Sequence, residues 1–304
     1  MNKNKIITYS NEEGSQTKSK QKMKKKKAKK KQMVERESNG SSNFAEMDYS
    51  YVQEPMIELA NCTGLLIKQR PDLKEAKDGY EIPNVYHVFG QFGEQYKYLF
   101  HCRERSGWCM RNCCPSSSRD FNMEISHITS PKMDPSDHIF AKLIKPFSCY
   151  YCCGAELTLA LINMNNDKED GIKLGTVNVL CTLCDPKIEV FDGTDQLKYI
   201  AAADGCQCGL ICPSMCKGCC FEADFDIINP GDNQKIGAII RLEPMGDEIG
   251  TDADSYQLQF PVQAQATDKL LLLAVTLMID YQYFETTHIS KKRKRRPGHF
   301  TVIS

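Results

Sequence analysis

The chain has 304 residues, 41% hydrophobic and 26% charged, enough for one large core or two small ones. Its 39 basic and 39 acidic residues cancel, but unevenly: residues 1–36 hold 13 Lys/Arg against 3 acids, residues 291–296 are all basic, and the body between is acidic. That distribution argues against a nucleic-acid binder with a basic body, and no G-x-S-x-G, P-loop or H-E-x-x-H motif marks an enzyme of covalent chemistry.

At the N-terminus, Met1 to Tyr9 lacks the apolar stretch of about 7 to 15 residues that a secretory signal needs. A cytosolic start is expected, and structural disulfides are not. The run Lys18 to Lys31 repels itself and has almost nothing apolar to bury. Residues 1–45 are therefore expected to be a disordered polybasic tail. Lys24, Lys25, Lys26, Lys27, Lys29, Lys30 and Lys31 could meet anionic lipid, at about 1 kcal/mol per residue. Nucleic acid, a nuclear-import receptor or plain solvation are the alternatives. Lys291, Lys292, Arg293, Lys294, Arg295 and Arg296, in a basic tail at 286–304, leave the same choice open.

From about Met47 to Phe260 the apolar period is mostly two. Tyr96 to Cys102, Phe121 to Ile125 and Ala155 to Leu161 read as strands. Lys187 to Phe191 runs into Asp192-Gly193 and on to Leu197, a hairpin signal. Phe221 to Ile228 and Lys235 to Leu242 flank a turn at Pro230-Gly231-Asp232-Asn233. Short strands with turns between them predict a mainly antiparallel β sandwich or barrel over 46–285.

Knots of cysteine interrupt this body, and fifteen of the sixteen fall between Cys102 and Cys220. Cys149-x2-Cys152 and Cys181-x2-Cys184 have zinc-ligand spacing. However, no His-x3–5-His partner exists, and adjacent pairs such as Cys113-Cys114 would point to opposite faces of an extended chain. Reversible acylation suits exposed cysteines beside a membrane, where a buried acyl chain contributes about 0.8 kcal/mol per CH2. Burial as small hydrophobes is the plain alternative.

The last element, about 264–285, changes period. Leu270 to Ile279 is apolar for ten residues between Lys269 and Asp280, and ten helical residues cover about 15 Å of a roughly 30 Å hydrocarbon core. Lengthening the span would place Asp280 in lipid at about 2.5–3.5 kcal/mol and carry the basic run 291–296 across. A helix buried in protein is the expectation.

Trp108-Cys-Met-Arg-Asn-Cys-Cys-Pro115 with Arg119 and Phe121, Lys145-Pro-Phe-Ser-Cys149 through Cys153, Asp252-Ala-Asp254 with Gln259-Phe-Pro261, and Leu270 to Ile279 with Asp280, Phe284 and Glu285 together resemble the phospholipid scramblase family over about Glu58 to Glu285. The resemblance implies a tubby-like fold, a closed twelve-stranded antiparallel barrel around a central hydrophobic C-terminal helix. It implies calcium-stimulated, ATP-independent, bidirectional movement of phospholipid between leaflets, without covalent chemistry. The family's Ca2+ loop maps onto Asp252, Asp254, Tyr256, Leu258, Phe260 and Gln263, with Gln257 where a turn glycine is usual and Gln263 where an acid is. Two carboxylates predict binding of about millimolar strength; the equal alternative is that Ser255 to Val262 is a core strand whose preceding loop is acidic. The family's acylated segment maps onto Cys149, Cys152 and Cys153, thinned here by Tyr150 and Tyr151, and the family's Pro-rich N-terminal tail is replaced by lysines. The implied partner is a phospholipid membrane, the anionic cytosolic leaflet of the plasma membrane, with an import receptor and a nuclear pool as additional candidates. Lipid is then the sole small-molecule substrate. A membrane-anchored lipid-binding or signalling module without transport, and a nuclear nucleic-acid binder, are the alternative readings.

Overall fold

The computed structural model describes residues 50–71, 81–130, 132–147, 156–161, 171–180, 185–207, 210, 223–243 and 253–285. The chain divides at Asp48/Tyr49 into two units, and the first lies outside the described residues.

Twelve strands form the second unit: β1 (Gly64–Gln69), β2 (Val85–Phe92), β3 (Gln95–Arg105), β4 (Phe121–His127), β5 (Ile139–Lys145), β6 (Glu156–Leu161), β7 (Ile172–Val179), β8 (Lys187–Asp192), β9 (Leu197–Ala202), β10 (Ala223–Ile228), β11 (Lys235–Arg241) and β12 (Ser255–Gln259). Each pairs antiparallel with its neighbour in the chain. The pairing of β1 with β12, Gly64 opposite Gln259 and Lys68 opposite Ser255, closes the barrel. Alternation sets the wall: Leu157, Leu159 and Leu161 of β6 are buried while Thr158 and Ala160 between them are half-exposed. The turns follow local chemistry. Asp192 Oδ1 accepts from Thr194 N and Gln196 N, at 2.9 and 3.1 Å, and Asp195 takes the positive φ of 60°.

Three helices complete the described fold. Before β1 stands α1 (Ser50–Asn61), where the period-two reading had begun a strand near Met47; the register of Val52, Met56 and Leu59 is that of one helical face. A single turn and a half, α2 (Trp108–Cys113), follows β3. After β12 comes α3 (Ala266–Ile279), opened by a capping box between Gln265 and Asp268.

Every residue of α3 from Leu270 to Ile279 is buried, and the helix packs against β6, β7, β8 and β12 inside the barrel. β7 comes so near that a Cβ on Gly175 would lie 2.2 Å from Phe191 O and 2.9 Å from Leu271 Cδ2. The helix runs on into a π-helical turn, Asp280–Phe284, where Tyr281 stacks on Phe121 with ring centroids 4.1 Å apart. At the other end Lys269 Nζ donates to the carbonyls of Leu59, Ala60 and Cys62 at 3.2, 2.7 and 2.8 Å, tying α3 to the C-terminal end of α1. The expected barrel with a central hydrophobic helix is thus the observed architecture.

Candidate functional site

Strand direction gives the barrel two unlike ends. At one, which we call the exit rim, the odd-numbered strands finish, the even-numbered ones begin, and α3 delivers the chain to Glu285. The connections 106–120, 146–155, 180–186 and 203–222 leave and re-enter there, and they hold fourteen of the sixteen cysteines. Of the described ones, Cys109, Cys113 and Cys206 are exposed, and Cys109 Sγ lies 3.6 Å from Cys113 Sγ. Cys62 and Cys102, the two outside these connections, are buried, and burial pushes both thiols up, Cys62 to about 11. Sequence reasoning saw the knots. It could not see that the described ones, Cys109, Cys113, Cys114 and Cys206, belong to connections at one end of an up-and-down barrel.

Beneath the exit rim lies a buried polar network. Asp280 accepts from Tyr86 OH at 2.5 Å and from Tyr256 OH at 2.6 Å. Burial raises its pKa, and the two hydroxyls and the Arg241 and Arg119 charges oppose that only in part. Arg119 Nη2 stands 3.5 Å from Glu285 Oε1 and 3.8 Å from Glu104 Oε1, with its guanidinium over the Tyr281 ring. Burial likewise raises Glu285. Lys145 Nζ donates to Arg119 O at 2.8 Å, and burial, followed by the Arg119 charge, brings its pKa down to about 8. Asn84 joins the cluster, donating to Glu285 Oε2 at 3.1 Å and accepting from Gln69 Nε2 at 3.0 Å. This network plugs the end of the barrel with polar groups, most of them paired although Arg119 Nε and Arg241 Nε and Nη1 have no hydrogen-bond partner among the described residues, whereas the helix plugs the middle with apolar ones.

The expected calcium set is not gathered to a point. Asp254 is held by Arg241 Nη2 at 2.6 Å, and its backbone N donates to Gln69 Oε1 at 3.0 Å. Tyr256 and Leu258 lie in β12, paired on one side with Ile67 and Leu65 and on the other with Arg241 and Ile239, so their backbone groups serve the sheet and their side chains face inward. Phe260 packs under Lys269, and Gln263 is exposed on the turn beyond. At about 3.4 Å per strand residue, Tyr256 to Phe260 spans roughly 13 Å, far beyond the ~2.4 Å reach of calcium ligands to a shared ion. The described members of the set therefore do not fit a calcium cradle, and Asp252 lies outside the described residues. Among the described residues no group of three or more His, Cys, Asp or Glu side chains is placed to hold a metal. Cys149, Cys152, Cys153, the lysines at 24–31 and the basic residues at 291–296 also lie outside the described residues.

At the opposite rim, Leu197, Tyr199, Pro230, Ile236, Val262 and Gln263 help line a cleft of about 980 Å³. Its two lysines are already paired, Lys198 with Asp268 at 3.9 Å and Lys235 with Asp226 at 2.6 Å. Among the described residues no helix is long and apolar enough to cross a membrane.

Comparison with known proteins agrees with this architecture. The chain is 26% identical over 224 residues to phospholipid scramblase 2 of Bos taurus, covering 73% of this chain and 69% of that protein. It is 26% identical over 238 residues to phospholipid scramblase 1 of Mus musculus (77% and 65%) and 25% identical over 230 residues to phospholipid scramblase 1 of Homo sapiens (75% and 65%). The aligned part thus spans about two thirds of each relative's length. The family model described as Scramblase matches residues 48–286. Those limits enclose the whole barrel, from the first turn of α1 to the residue after the buried network, and a match of that extent means that the chain belongs to the Scramblase family.

Proposed function

We propose that this protein moves phospholipids between the leaflets of a bilayer, in both directions and without ATP, making and breaking no covalent bond. The observation that carries this reading is the family match over residues 48–286, barrel and plug together, alongside relatives named phospholipid scramblases. The physical task is to bring a polar headgroup through hydrocarbon, where each unsatisfied polar group costs several kcal/mol. With α3 filling the interior, that path runs outside the barrel wall, through a bilayer that the protein perturbs. The protein is held at the cytosolic face of the plasma membrane, by acyl chains on Cys149, Cys152 and Cys153 and by its lysine tracts, since one chain alone gives marginal attachment. Either tract also suits an import receptor and a nuclear pool.

Calcium stimulation is part of the same proposal, and Asp252, the carboxylate of the expected set that lies outside the described residues, is the position to test. The test is transfer of a fluorescent phospholipid in vesicles reconstituted with the full chain, with and without calcium, beside D252A. Transfer in the parent is expected, with calcium raising it and D252A weakening that response. Equal rates in parent and D252A at every calcium level would remove the residue from the proposal, and absence of transfer throughout would remove transport itself.

One observation favours a second reading, a membrane-anchored lipid-binding module without transport: the barrel interior is solidly packed. It predicts vesicle binding with no lipid transfer.

A further inference from the structure

We propose that the exit rim, at Trp108 and Phe147, is the face that this protein lays on an anionic phospholipid surface, so that the barrel stands end-on to the membrane. The inference deepens the lipid-surface reading above and rests on it.

Trp108 and Phe147 are 59% and 52% exposed, and each is the third residue beyond a strand position at this rim. Those positions, Arg105 and Ile144, flank Asn122 across β3, β4 and β5, and Ile144 is itself 43% exposed. At about 4.8 Å between strands, the two aromatic residues spring from points roughly 10 Å apart. Trp and Phe are side chains that settle at the boundary between headgroups and acyl chains.

Charge selects the occupant. The chain leaves the exit rim at Glu285, whose backbone carbonyl accepts from Ser116 Oγ at 3.0 Å inside the 106–120 connection. Lys291 follows six residues later, so even a fully extended chain keeps the first of six consecutive basic residues within about 20 Å of the rim. Arg70 and Arg103 are exposed where β1 and β3 finish. The described connections expose acids at both rims, Asp185, Asp204 and Glu243 here and Glu94, Asp134, Asp137, Asp195 and Asp232 there, so it is the basic run following Glu285 that sets this end apart for an anionic bilayer, although Tyr96 and Val262 are exposed at the other. Phe147 also lies two residues from Cys149, the first proposed acyl acceptor, which would root its chain at the same face.

The protein carries its own reporter, because Trp108 is the only tryptophan in 304 residues. The full chain is mixed with phosphatidylserine/phosphatidylcholine vesicles, with and without bromine-labelled acyl chains. The expected result is a blue-shifted emission that the brominated lipid quenches by at least about half. F147S should lower the vesicle partition coefficient about tenfold, as loss of one buried aromatic side chain implies, and V262S at the other rim less than twofold. If the protein sediments with vesicles while Trp108 stays unquenched, another face binds and the inference falls. It falls equally if the chain ignores these vesicles, the result expected if a protein partner covers the rim. Lipid transfer followed in the same samples separates the two claims: transfer without quenching overturns only the docking face, and quenching without transfer overturns only transport.

Discussion

Asp280 looks like a misfit in the sequence, a carboxylate directly after a ten-residue run that is apolar but for Thr276, and it is the residue on which the end of the barrel is organised. Its oxygens take one hydroxyl each from Tyr86 and Tyr256, on strands separated by most of the chain. Burial raises its pKa above the unfolded value of about 3.9, so the folded state holds its proton more tightly than the unfolded one. A carboxyl shifted in that direction contributes stability that is fully present below about pH 4 and is lost as pH rises through its folded value. D280N removes the ionisation while leaving an oxygen acceptor and an amide for the two tyrosines. We expect the melting temperature of D280N relative to the parent to rise as the pH climbs above about 4; a constant difference would mean that folding does not raise the Asp280 pKa. Asp280 could be read from the sequence as a cost to a membrane span. The tyrosines, the Arg119 pairing with Glu285 and the Arg241 pairing with Asp254 could not, because each depends on the register and packing of the folded strands.

At the scale of elements, the sequence was most informative where one physical signal dominated. An unbroken apolar run announces burial on all faces, and α3 is buried on all faces. The Asp192-Gly193 and Pro230-Gly231 turns lie between β8 and β9 and between β10 and β11, as expected. Where signals conflicted, the reading slipped: Pro55 argues against a helix, yet α1 carries it because Val52, Met56 and Leu59 form a face that docks on α3. The acidic stretch before β12 left two equal readings, a loop of ion ligands or a core strand behind an acidic loop, and the strand is what forms, with Tyr256 and Leu258 in the wall. Two substitutions measure the plug. L272A in α3 should cost about 2–5 kcal/mol in urea unfolding without detergent or lipid. G175A should cost about 1–3 kcal/mol, because its methyl group meets the Phe191 carbonyl and Leu271. A change below about 0.5 kcal/mol in both would mean that the helix leaves the barrel in solution.

For the molecule as a whole, burial of α3 decides topology. A helix that serves as the core of a barrel cannot also span a bilayer without emptying that core, so both ends of the chain are expected on one side of the membrane. An epitope attached after Ser304 should stay inaccessible to antibody outside intact cells and become accessible after permeabilisation; staining of intact cells would refute the arrangement. The closed barrel was foreseen only through the family resemblance. Period two alone establishes strands and leaves sandwich and barrel equal, since the closing contact joins Gly64 to Gln259 across most of the chain.

Closure has one more consequence. With β1 hydrogen-bonded to β12, every strand among the described residues has a neighbour on both sides, so the barrel has no free edge strand. An incoming peptide cannot extend this sheet, and copies of the protein cannot stack into fibrils through it while it remains folded. Self-assembly through the described barrel would have to join side chain to side chain, through the outer faces of the strands.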